Sequence, residues 1–430
     1  MKRIDRRSFI KDMGRYAGGI VIGGYFLDSF VFNPSVANAA KLANVYIAKN
    51  GTPAENVAKV IEMRFGGIEN FIGADDVVVI NPNGQWPRQG ASNCECCMGL
   101  IDLILNRPGG FTGEIIFTEN TQNQEVGYWI CEEYLLERNG PYNFMDMIAY
   151  YHSQGHNNVN GVRLWCNYDD PINWPLVSGP QEGKQGWDRY TWVSPTNNTY
   201  TLSNPIIRSP YSNRLIDLKN GVYDNGYEGQ PALKFIKMPT LNNHGDNAQQ
   251  DYAGITSAIK SFLGISELRG VPHEMLHNYS RGAYEVGLAV GGWINTVRKP
   301  DIFLTTAEWV GWGDRETNLA TQARTVGLGD DPVSLDYIMS KYVLWPTHPE
   351  AEFFNPDWNL SENISRQTMN GCQAMGFGTT NEEEINAFIY DHVATSIFRF
   401  DIDRKIHEFR NGTATEQEVL DLIEQYNTGK

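Results

Sequence analysis

His273-Glu274-Met275-Leu276-His277 has the spacing at which one helical face offers two imidazoles to a zinc ion and a carboxylate takes a proton from metal-bound water. Pro272 suits the first turn of a helix and Arg281-Gly282 its end, so both histidines would sit on one short helix. The nearer third-ligand position is empty of donors, with Ser280 and Ala283 there, which leaves Glu308 as a more distant ligand. A capped helix carrying hydrogen-bonded histidines explains the same residues without a metal.

A second set is made of sulfur. Cys94, Cys96 and Cys97 open a helix-period segment, where unpaired amides and the helix dipole favour thiolate over thiol. Three soft ligands this close could hold a divalent metal or an iron–sulfur cluster with help from Cys131, Cys166, Cys372 or a histidine. The spacing fits no zinc ribbon or ferredoxin run. Six cysteines in an oxidising compartment could equally form disulfides or lie buried.

These groups need elements to position them. Apolar runs at residues 44–48, 75–80, 113–118, 161–166, 232–238 and 301–306 read as strands, most of them continuous as in a buried parallel sheet. Between them, residues 54–63, 97–106, 125–138, 255–263, 284–297 and 332–343 read as helices. The alternation predicts an α/β fold, a mainly parallel sheet with helices on both faces, over residues 40–345. Residues 167–230, rich in Asn, Gly, Pro, Tyr and Trp, read as a loop-rich aromatic insertion. Beyond an irregular stretch to Thr380, residues 346–430 read as a loop and a helical C-terminal extension, with helices over 382–400 and after a Thr415–Glu418 capping box.

In open α/β sheets ligands settle beyond the carboxyl ends of the strands. That rule singles out Asn81 and Asn83, Lys237 and His244, Glu308, and Asp330-Asp331. Together they suit an anionic or polyhydroxylated ligand, or, with His244, a hard divalent cation. Asn81 and Asn83 also flank a turn proline, and Asp331 is a good N-cap. Asp336, one turn into that helix, is harder to explain as a cap, and Lys260 suits a snorkelling surface residue as well as a ligand contact.

The N-terminus implies export. Arg6-Arg7 before Ser8-Phe9-Ile10-Lys11, an apolar run from Ala17 to Phe32 and Ala37-Asn38-Ala39 resemble a twin-arginine signal peptide over residues 1–39. The export machinery is then a partner, and the mature chain is periplasmic or extracellular. The formal charge is −16, and the signal holds more basic than acidic residues, so the mature chain is more acidic still. Such a surface repels phosphate backbones, which argues against nucleic acid. No later apolar run has the length of a membrane span.

The blocks "VVVINPNGQWPRQGASN", "FIKMPTLNNHGDNAQQDYAGITSAIKSFLG" and "GLGDDPVSLDYI" resemble those of the uncharacterised bacterial family termed domain of unknown function 362. In that family a strand runs into a Pro-Asn turn, a Gly-Ile-Thr helix carries a lysine, and an Asp-Pro-Val-x-x-Asp helix follows. Some members are fused to ferredoxin modules, which implies an iron–sulfur cofactor and a periplasmic redox partner, though this chain lacks the ferredoxin cysteine run. The pattern also has a segment from Val-Pro to a histidine after that helix, a place that His277 fits.

Three functions follow as expectations. One is an exported redox protein with a metal or iron–sulfur centre. Another is a zinc-dependent hydrolase, with His273 and His277 as ligands and Glu274, aided by Lys237 and Glu308, as the catalytic group. The last is a non-catalytic module that binds a glycan or a small ligand, with glycan contacts from Trp174, Trp187 and Trp192.

Overall fold

The computed structural model describes residues 43–86, 88–120, 138, 140–164, 174–243, 254–267, 270–272, 282–313, 318–349, 351–393, 396–399, 404–405, 408–409 and 412–428. The strands are β1 (Ala43–Lys49), β2 (Val77–Pro82), β3 (Glu114–Asn120), β4 (Val159–Leu164), β5 (Gly186–Val193), β6 (Thr199–Arg208), β7 (Leu215–Asp217) and β8 (Gly221–Tyr223). They continue with β9 (Leu233–Met238), β10 (Thr240–Asn243), β11 (Ile255–Thr256), β12 (Ile302–Gly311), β13 (Ala320–Gly329), β14 (Ile385–Asp391) and β15 (Ser396–Arg399). The helices are α1 (Pro53–Phe65), α2 (Cys94–Leu105), α3 (Phe144–Ser153), α4 (Gly282–Thr296), α5 (Pro332–Met339), α6 (Ile364–Ala374) and α7 (Glu416–Thr428).

Local chemistry sets several of these boundaries. Thr52 and Glu55 close a capping box around the start of α1, with Pro53 where no amide is needed. Asn93 accepts from the Cys96 amide to start α2, and Asp331 does the same for Ser334 in α5. The Thr415–Glu418 box precedes α7, as the sequence predicts.

An eleven-stranded sheet runs in the order β15, β14, β1, β13, β12, β9, β2, β3, β4, with β10 beside β12 and β11 beside β10. From β12 through β9, β2 and β3 to β4 every pairing is parallel. β13 runs antiparallel to both β12 and β1. The alternation along β2 shows why its whole run is apolar. Val78 and Ile80 face a core filled by α1, α2 and α3, while Val77 and Val79 face one filled by α4, α5 and α6. Helices therefore cover both faces of a mainly parallel sheet.

On that second face α4 crosses α6 with glycine against glycine. A Cβ at Gly287 would lie 2.0 Å from the Thr368 carbonyl oxygen, and one at Gly371 2.0 Å from that of Tyr284. The backbones pack without side chains between them.

Four expectations need correction. The 167–230 insertion, where described, carries its own antiparallel sheet, β5 to β8, whose Trp187, Leu202, Ile207 and Ile216 join the second core. The helix expected over 382–400 is, where described, a pair of strands: β14 lies parallel to β1 with Ile385, Ala387 and Ile389 buried, and β15 returns beside it. The 346–430 region is thus partly built into the main sheet, and it also holds α6. Residues 255–263 form a two-residue strand and a 3-10 turn, Lys260–Ile265, in place of a helix. Among the described residues no helix is long and apolar enough to cross a membrane.

Candidate functional site

Parallel pairing puts Asn81 opposite Lys237 at the carboxyl ends of β2 and β9, and both are fully buried. The Asn81 amide nitrogen donates to the carbonyls of Thr118 (2.5 Å) and Gly264 (3.2 Å). With both its hydrogens committed, its Oδ1 must face the Lys237 Nζ, which donates to it and to the Ser261 carbonyl at 2.8 Å. The Phe262 ring closes the amine from another side, its centroid 4.8 Å away.

Among the described residues the amine has two acceptors, which match the two hydrogens of a neutral amine and fall one short of an ammonium. Burial lowers the Lys237 pKa to about 7, against the opposing pull of Glu119. Glu119, at the end of β3, is 2 % exposed, and burial holds its carboxyl well above the usual range although Lys237 and the Gly84 amide favour the charged form. Among the described residues its Oε2 has no hydrogen-bond partner. The turn above fits closely, for a Cβ at Gly264 would lie 2.6 Å from Glu119 Oε1. Burial thus pushes both groups toward their uncharged forms, the amine downward in pKa and the carboxyl upward.

The α2 side of the strand tips is also polar. Asn83 accepts from the Thr240 amide at 3.0 Å and donates its own amide to the Ser92 hydroxyl at 2.9 Å, so it fastens the loop after β2. Thr240 and Asn242 both donate to the Gln89 carbonyl at 3.1 Å. Glu308 takes one bond from Gln322 at 2.9 Å, while its Oε2 has no partner and burial raises its pKa.

Other predicted residues have different roles. Asp330 pairs with Arg64 at 2.9 Å. Asp331 caps α5, and Asp336 accepts the Ala258 and Ile259 amides at 2.7 and 2.9 Å, so both carboxylates are engaged by backbone and not held open as ligand contacts. Lys260 is buried in its 3-10 turn, not snorkelling on the surface. His244, His273, Glu274 and His277 lie outside the described residues, as do Cys131 and Cys166.

Cys96 and Cys97 sit wholly buried in the core between α2 and the sheet, and that burial pushes both thiols well above their ordinary pKa. Desolvation thus overrides the helix-terminus preference for thiolate expected from the sequence. Cys94 and Cys372 are buried too. Among the described residues no three His, Cys, Asp or Glu side chains are arranged to hold a metal ion. Trp174 and Trp187 pack on each other in the core, 5.7 Å between centroids, and Trp192 stacks on Tyr200, so they do not form an open sugar platform.

Glu119 was not singled out from the sequence, although Glu119-Asn120 ends an apolar strand as Asn81 does. The part played by the Ser261 and Gly264 carbonyls has no side-chain signature at all. Comparison with family models, curated proteins and solved structures finds no match for this chain.

Proposed function

We propose that this chain is an exported α/β enzyme that transfers a proton on a small polar ligand beyond the carboxyl ends of β2, β3 and β9, with Lys237 as base and Glu119 as acid. One observation carries this reading: Asn81, fixed by two backbone carbonyls, leaves Lys237 a neutral amine's set of partners near a carboxyl oxygen that has none. Proton transfer works best when acid and base titrate near the working pH, and buried pairs at strand ends of open sheets are where such groups gather. The asparagines around the strand tips favour a ligand with hydroxyl or carboxylate groups, such as a small hydroxy acid.

Export rests on residues 1–39 and the family resemblance on the blocks quoted above; both remain proposals. A metal or iron–sulfur centre with a redox role, with Cys94, Cys96, Cys97, His244, His273 and His277 as its candidate ligands, is likewise a proposal.

Thermal melting with a series of hydroxy acids from glycolate to gluconate tests the proposed site. At least one should raise the melting temperature of the wild type and leave that of Lys237→Met unchanged, a substitution that keeps most of the unbranched side chain while removing the amine. Equal shifts in both proteins, or none in the wild type, would contradict the assignment.

A further inference from the structure

We infer that Asp336, on α5, is a positioning residue for the Lys237–Glu119 centre, acting through the turn from Ala258 to Gly264. The inference rests on the reading of that centre given above. Each carboxylate oxygen of Asp336 takes one backbone amide, Oδ1 that of Ala258 and Oδ2 that of Ile259. The turn that these amides begin is stiffened from within. The Ser261 amide donates to the Ser257 carbonyl at 3.0 Å, the Ser261 hydroxyl to the Ala258 carbonyl at 2.8 Å, and the Phe262 amide to the Ile259 carbonyl at 3.3 Å.

The far side of the same turn makes the centre. Its Ser261 carbonyl accepts from Lys237, its Gly264 carbonyl accepts from Asn81, its Phe262 ring covers the amine, and Gly264 abuts Glu119. Among the described residues, the second acceptor of the Lys237 amine and the ring that faces it therefore both come from a segment anchored on Asp336. In this arrangement each amide has its own acceptor oxygen, and an asparagine would set an NH2 group opposite one of them. Its own surroundings are the Ser257 hydroxyl, which favours the charged form, Asp331 at the start of α5, which opposes it, and Cys372 from α6. No basic side chain is among these groups, so Asp336 is held by hydrogen bonds and not by an ion pair.

The test is a 13C NMR titration of the lysine Cε resonances in the full-length wild type and in Asp336→Asn, with the Lys237 signal assigned by its loss in Lys237→Met. In the wild type Lys237 should titrate near neutrality. In Asp336→Asn one amide loses its acceptor, the turn loosens and water reaches the amine, so the midpoint should rise by about one unit or more, a roughly fivefold or greater fall in the neutral fraction at pH 7. An unchanged midpoint in folded Asp336→Asn would overturn the inference while leaving the centre intact. A wild-type Lys237 that titrates like an exposed lysine would instead overturn the centre itself, and the inference with it. Should Asp336→Asn fail to fold, Ser257→Ala removes one donor from the same carboxylate. A smaller upward shift there supports the link, and none overturns it.

Discussion

Replacing Asn81 by leucine is expected to lower the folding free energy by about 3–5 kcal/mol, read as a shift in the urea midpoint with little change in slope. Leucine has the same branching as asparagine but is bulkier, so overpacking at this buried position adds to the loss of the amide's bonds. Removing the amide strips the donor from two buried carbonyls, those of Thr118 and Gly264, and one of two acceptors from Lys237. Each orphaned group costs about 1–3 kcal/mol when no water can replace the partner. The same logic predicts non-additivity. Introducing Lys237→Met alongside it removes the orphaned amine, so the double variant should recover part of the loss, giving a coupling energy of about 1 kcal/mol or more between the two sites.

Gly371→Ala should be about as damaging, for a steric reason. The new Cβ would stand 2.0 Å from the Tyr284 carbonyl oxygen and 2.9 Å from the Leu288 amide nitrogen, both backbone atoms of α4. Helix propensity favours alanine by about 1 kcal/mol, but no rotamer change can relieve a clash between two backbones, and the helices must part. A loss of about 3 kcal/mol or more is expected, with Gly287→Ala behaving alike across the same crossing. Gly226→Ala, where an added Cβ meets nothing within 4 Å, is the control and should fall within about 0.5 kcal/mol of wild type. Differential scanning calorimetry of the three variants would rank them.

The parallel core was legible in the sequence because a strand buried on both faces cannot alternate: Val77 to Ile80 and Ile115 to Phe117 are apolar throughout. β14 was not. Glu382 to Glu384 look like the acidic first turn of a helix, and only the parallel pairing with β1, with Phe388 stacked on Tyr46, selects a strand. β13 was hidden by the polar half from Thr321 to Arg324 and by Gly327 and Gly329, and its place depends on partners on both sides, β12 and β1.

The site divides along the same line. Asn81 and Lys237 could be found by the rule that open sheets bind at strand ends, since each is a polar residue closing an apolar run. Glu119 carried the same signal. Asp336 could be noticed but not explained, because its partners are the backbone amides of residues 77 and 78 positions earlier in the chain, and amides carry no side-chain signal in a sequence. The helix-terminal cysteines mislead in the opposite direction: the sequence shows the dipole that favours a thiolate but not the buried position of Cys96 and Cys97, which favours the thiol more strongly.

The linked pH behaviour has a definite sign. Asp336, raised by burial to about 7, binds its proton more tightly folded than unfolded, so between about pH 4 and pH 7 it makes stability fall as pH rises. Lys237, lowered to about 7, binds its proton less tightly when folded. Its contribution makes stability rise with pH from about 7 to about 10.

Whether burial brings Lys237 into titration near neutrality is tested most directly by the midpoint of its Cε resonance in folded wild-type protein. A midpoint near 7 is the predicted result. A midpoint near 10, the ordinary value for lysine, would mean that the buried side chain stays an ammonium, and the proton-transfer centre would have to be abandoned.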